Sequence, residues 1–68
     1  PLEEIMNTLS RWYNINVFYS NQAVKSYHFT GDLERYGDFR KTLNMIEKST
    51  VIRFVINGNN IMVEEIPN

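Results

Sequence analysis

An Asn57-Gly58 pair stands between two apolar-rich runs, VIRFVI at 51–56 and NIMVEEI at 60–66. Both residues tolerate the positive φ of a tight hairpin turn, so no other short segment of the chain constrains the fold as strongly. A two-residue loop there pairs Ile56 with Asn59, Phe54 with Ile61 and Ile52 with Val63, which makes one apolar face. The opposite face then carries Val51, Arg53, Val55, Asn60, Met62 and Glu64. Sliding the turn to Gly58-Asn59 keeps the same parity, so the two faces keep their members.

Upstream of the hairpin the apolar period changes from two to 3.6. Leu2, Ile5, Met6, Leu9, Trp12 and Tyr13 share one face of a helix over 2–13. Glu3 and Glu4 sit in its first turn and Arg11 in its last, each where the helix dipole favours that charge. Asn14 suits the left-handed residue that ends such a helix. A strand is predicted over 15–20 (INVFYS), followed by a polar connection at 21–25 with one short helical turn. Residues 26–33 alternate Tyr27, Phe29 and Gly31 against His28, Thr30 and Asp32, which predicts a further strand. Gly31 marks a bulge or a close backbone approach there. After a connector at 34–37, Asp38 is the expected N-cap of a second helix over 39–49. Phe39, Thr42, Leu43 and Ile46 form its buried face, and Met45 falls off it.

The helix-then-strand order occurs twice. At an offset of 37 residues, Leu2, Met6 and Leu9 match Phe39, Leu43 and Ile46. Ile15, Val17 and Tyr19 match Ile52, Phe54 and Ile56 at the same offset. Two packed βα-type halves would produce this echo, and so would chance similarity between two amphipathic units. If the halves are equivalent, a strand before Leu2 belongs to the first one, and the chain opens instead at Pro1. The expected architecture is α+β: one domain over 1–68, two helices packed against short strands.

Function classes are narrowed by what is absent. Seven Lys/Arg balance eight Asp/Glu, which supplies no electrostatic drive toward nucleic acid or an acidic membrane surface. There is no cysteine for a thiolate site or a disulfide. His28 is the sole histidine, and Asp32, four positions on and on the same face of the predicted strand, makes two ligands at most, too few for a metal centre. Glu3-Glu4 and Glu64-Glu65 are sequence neighbours that point in different directions, so neither forms an acid/base dyad. Ser10, Ser20, Ser26 and Ser49 have no triad context, and Gly31, Gly37 and Gly58 form no phosphate loop. No catalytic, cofactor or metal residue is therefore expected. Phe18, Tyr19, Tyr27 and Phe29 on strands could stack on bases, but no cluster of cations accompanies them.

One feature resists a core assignment. If Ile15, Val17 and Tyr19 point inward, Phe18 points outward, as Val55 and Met62 do on their own strands. With Arg53 they make an apolar patch bearing one charge, the kind of surface that marks an interaction site unless a second layer covers it. Phe18, Arg53, Val55 and Met62 are the candidate partner-binding residues. Trp12, at the end of the first helix, is a further candidate hot spot.

The residues in order, Leu2-Glu3-Glu4-Ile5, then Leu9-Ser10-Arg11-Trp12-Tyr13-Asn14, then the apolar run at 15–19, resemble the C-terminal domain of FecR-like anti-sigma regulators of the Bacteroidetes type. Phe29-Thr30-Gly31-Asp32-Leu33 matches that family's "ftG.l" element, and Ile56, Gly58, Ile61 and Val63 match its closing "I.G..I.V". Arg35-Tyr36-Gly37-Asp38 departs from the plainer helix start usual there. The resemblance spans nearly the whole chain.

The resemblance implies a fold like the short signalling domain of secretins and TonB-dependent receptors. It implies the periplasmic end of an inner-membrane-anchored regulator with no catalytic residue and no cofactor. Its partner would be the signalling domain of a TonB-dependent outer-membrane receptor engaged in iron or nutrient uptake. Its missing cytoplasmic part would hold an extracytoplasmic-function (ECF) sigma factor. The alternatives are the receptor-side or secretin signalling domain itself and, from a different class, a small nucleic-acid-binding module.

Overall fold

The computed structural model describes residues 1–31, 33 and 37–67. Two amphipathic helices, α1 (Leu2–Tyr13) and α2 (Phe39–Ser49), supply one layer. Leu2, Met6 and Leu9 make the fully buried stripe of α1, and Thr42, Leu43 and Ile46 that of α2. Met45 lies off the stripe and is exposed, as the 3.6-residue period requires. Asn14 ends α1 in the left-handed conformation, φ 54° and ψ 48°. The Asp38 carboxylate opens α2 by accepting the Arg40 backbone N–H at 2.9 Å. The Tyr13 and Phe39 rings meet at 5.5 Å between centroids, where the end of α1 passes the start of α2.

The other layer is a three-stranded sheet of β1 (Asn16–Tyr19), β2 (Ile52–Asn57) and β3 (Asn60–Glu65), in the order β1-β3-β2. β2 and β3 form the expected hairpin with the turn one residue further along. Asn57 pairs with Asn60, Ile56 with Ile61, Phe54 with Val63 and Ile52 with Glu65. The central residues are thus Gly58 and Asn59. Gly58 alone of the two has positive φ, at 60°, which is the place of glycine in a type II′ turn. Each cross-strand partner moves by two positions from the Asn57-Gly58 register, and the faces are unchanged. Ile52, Phe54, Ile61 and Val63 are buried, while Ile56 at the hairpin end is exposed.

β1 joins β3 in parallel, pairing Asn16 with Asn60, Val17 with Ile61, Phe18 with Met62 and Tyr19 with Val63. The two strands of the 37-residue echo, β1 and β2, therefore flank β3. α1 touches β1 and α2 touches β2, so the chain is two α-β units closed around a shared strand. The core lies between the helices and one sheet face, with Ile15 and Val24 completing it. The radius of gyration is 10.9 Å, against about 11 Å for an independent domain of this length.

The strand expected at 26–33 does not form over its described residues, 26–31 and 33. Ser26 closes a short 3₁₀ turn, Gln22–Ser26, capped by the Asn21 side chain. Tyr27 is extended (φ −62°, ψ 141°) and its carbonyl accepts the Leu2 backbone N–H at 2.7 Å. Tyr27 and Phe29 turn toward the core while His28 and Thr30 face solvent, so the alternation is real. What is lacking among the described residues is a neighbouring strand to make a ladder, and alternation without a ladder is not a strand. The Phe29 ring lies 2.8 Å from where a Gly31 Cβ would be, so the neighbour that crowds this glycine is a side chain of its own segment and not the backbone expected there. Asp32 and most of the 34–37 connector fall outside the described residues.

Candidate interaction surface

Both helices pack on one side of the sheet, which leaves the other side to solvent. The strand registers organise that outer face into rows. Phe18 of β1 pairs with Met62 of β3, and Met62 pairs with Val55 of β2. The three form one continuous apolar band across the sheet, with Phe18 51% and Val55 46% exposed. Asn16, Asn60 and Asn57 line up along one side of the band, and the Asn16 Nδ2 donates to Asn60 Oδ1 at 3.1 Å. On the other side Arg53 and Glu64 are cross-strand partners joined at 2.8 Å. The band is therefore apolar and locally neutral.

Four of the five candidate residues, Phe18, Arg53, Val55 and Met62, come together on this face. Trp12 does not join them. It sits on α1, half-buried against the core on the opposite side of the sheet.

The two edges of the sheet differ. Ile66 N–H donates to the Val51 carbonyl at 2.7 Å, so Val51, Arg53 and Val55 turn their main-chain groups toward β3. Ile52, Phe54 and Ile56 turn theirs outward. Two of these outward amides are occupied by side chains. Thr50 Oγ1 accepts Ile52 N–H at 3.1 Å, and the Glu47 carboxylate accepts Phe54 N–H at 2.8 Å. On β1, Asn16 and Ser20 donate to the Asn59 and Val63 carbonyls of the hairpin. By alternation Val17 and Tyr19 turn their N–H and C=O groups outward, and no described residue pairs with them.

An open groove of about 540 Å³ runs beside β1. Its lining takes Val17 and Tyr19 from the inner face of the strand and Phe18 and Met62 from the outer face. Residues from both faces line one groove where it runs along a strand edge. Gln22 and Lys25 of the 3₁₀ turn also line it. The Lys25 ammonium stands 5.2 Å from the centroid of the Tyr19 ring and 3.5 Å from the Glu3 carboxylate. The Tyr19 hydroxyl is shielded from solvent without a hydrogen-bond partner among the described residues. Burial, and then the negative charge of Glu3, raise its pKa above the ordinary 10.0.

A model of the family described as "FecR, C-terminal" matches residues 1–63, from the start of α1 to Val63 in β3. The chain belongs to the FecR C-terminal family. The match takes in both helices, all of β1 and β2, and every residue of the apolar band. No curated protein and no solved structure matches the chain. Among the described residues of this FecR C-terminal domain, no helix is long and apolar enough to cross a membrane, and no three His, Asp or Glu side chains converge as metal ligands. His28 is exposed, and Asp32, its neighbour in the sequence reading, lies outside the described residues.

Sequence reading missed two parts of the FecR C-terminal surface, the Glu47 cap on β2 and Lys25 beside Tyr19; an open sheet edge is expected of so small a domain, but its place on β1 was not readable. Glu47 and Phe54 are seven residues apart on different elements, and no local pattern announces their contact. Strand order carries no sequence signal either, so which strand is central and which is an edge was not readable. A partial signal existed at Lys25, since the 21–25 segment is polar apart from Ala23 and the buried Val24.

Proposed function

We propose that this domain is a non-enzymatic protein-interaction module at the periplasmic end of a membrane-anchored FecR regulator. In this reading it engages the signalling domain of a TonB-dependent outer-membrane receptor. The rest of the regulator passes that event to an ECF sigma factor. Family membership supports the regulator side of such a pathway over the receptor side. The observation that carries the reading is the Phe18–Met62–Val55 band, which lies uncovered on a sheet whose other face is packed by both helices. A neutral apolar band of this kind is removed from water most readily by another polypeptide. The near-balance of charge and the absence of clustered cations give no support to nucleic-acid binding.

Isothermal titration of the domain against receptor signalling domains from the same genome tests the proposal. Saturable binding to one of them is expected. No binding to any at about 100 µM, the weak end of specific association, overturns it.

A further inference from the structure

We infer that the free edge of β1 takes an extended strand from a different polypeptide, which sets an apolar residue beside Phe18 and Met62 and an acidic residue at Lys25. The inference rests on the reading above that the domain works by binding another protein, and it assigns the place and chemistry of that contact.

The contrast between the two edges carries the argument. A bare edge strand is a template for pairing, and proteins block edges that are not used. Here β2 is blocked by Glu47 and Thr50 at two successive outward amides. Among the described residues β1 has no such block: Val17 and Tyr19 present two donors and two acceptors spaced for strand addition. The groove beside them, about 540 Å³, is lined by residues of both sheet faces, Val17 and Tyr19 from the inner and Phe18 and Met62 from the outer. On the outer side that strand extends the Phe18–Met62–Val55 band by one residue. At the end of β1 it meets Lys25, whose ion pair with Glu3 is long at 3.5 Å and partly exposed.

A second copy of the chain fits less well. Antiparallel pairing of two β1 strands about a twofold axis lays the end of one beside the start of the other. The residues around the start of β1 are Arg11, Asn14 and Asn16, which bring Lys25 no carboxylate. Charge complementarity thus selects a different chain bearing an acidic residue.

The test uses the ¹⁵N-labelled 68-residue domain and three capped heptapeptides. One alternates valine with glutamate, one alternates valine with lysine, and one is the glutamate peptide with its valines N-methylated. The glutamate peptide is expected to slow amide exchange at Val17 and Tyr19 by about tenfold at saturation, with no change at Ile56. The lysine peptide binds about fivefold more weakly, Lys25→Glu reverses that preference, and the N-methylated peptide does not bind. Val17→Pro removes an outward N–H while leaving the β3-facing ladder intact, and it weakens binding about tenfold. Exchange in the unmodified domain gives the answer even if that variant fails to fold. Protection at the β2 edge, or binding indifferent to both Val17→Pro and Lys25→Glu, overturns the inference. A receptor signalling domain that binds the Val17→Pro variant as tightly as the original refutes the edge and leaves the proposed function standing. Peptide protection at β1 without binding to any receptor domain does the reverse.

Discussion

The Glu47 carboxylate, near the end of α2, accepts the backbone N–H of Phe54 on the outer edge of β2 at 2.8 Å. A helix side chain thus takes the position that a neighbouring strand would otherwise hold. Thr50 adds to this arrangement: its hydroxyl donates to the Ile46 carbonyl at 2.7 Å and accepts the first amide of β2. Glu47→Ala is expected to cost about 1–2 kcal/mol of stability, a charged hydrogen bond discounted for partial exposure. It also bares a second edge. Chemical denaturation reads the first effect and sedimentation the second. A variant as stable and as monomeric as the original would show that the contact blocks nothing.

Phe18→Asp and Val55→Asp separate surface from core. Each changes a side chain about half exposed, so each is expected to shift stability by about 1 kcal/mol or less while abolishing receptor-domain binding. Phe54→Asp, one residue away on the buried face, should lose folding. Circular dichroism and titration calorimetry on the three variants check this. Unfolding by either outer-face change would mean that the band belongs to a core.

The hairpin register has its own discriminating pair. Gly58 has φ 60° and open space around its absent Cβ, so Gly58→Ala costs about 1 kcal/mol through backbone conformation alone. Asn57 is a strand residue paired with Asn60, and Asn57→Ala should be close to neutral. A turn centred on Asn57-Gly58 would make the asparagine substitution costly as well. Thermal midpoints of the two variants distinguish the registers.

Tyr19 sets a pH dependence. Its pKa is raised in the folded chain, so the unfolded chain releases the phenolic proton first as pH climbs. The stability held below about pH 10 is therefore lost on passing upward from the unfolded pKa toward the folded one. Tyr19→Phe removes a shielded hydroxyl that has no partner among the described residues. It should leave neutral-pH stability within about 1 kcal/mol and flatten the alkaline decline. Denaturation midpoints at pH 8 and at successive steps above 10 measure both. An unchanged slope in the variant would show that Tyr19 does not contribute.

Local chemistry made much of the fold readable in advance. The stripes of α1 and α2, the Asp38 cap and the left-handed Asn14 each depend on residues within a few positions of one another. The membership of the sheet faces was readable for the same reason, because period-two burial survives a register error. Residues 26–33 were misread because alternation reports which side is wet and says nothing of whether a neighbouring strand exists. The candidate surface was half readable. Phe18, Val55, Met62 and Arg53 could be placed on an outward face, but their assembly into one band needed β3 between β1 and β2. Trp12 could not be separated from them without knowing which side of the sheet α1 covers.

By itself, then, the order of residues determined the elements, their caps and their wet and dry sides, since these follow from steric and solvation preferences acting over a few residues. The tertiary structure alone decided that β3 is central, that β2 is closed by Glu47 and that β1 is left open. Those outcomes depend on main-chain groups finding partners far along the chain, and every backbone N–H offers the same donor whatever side chain it carries.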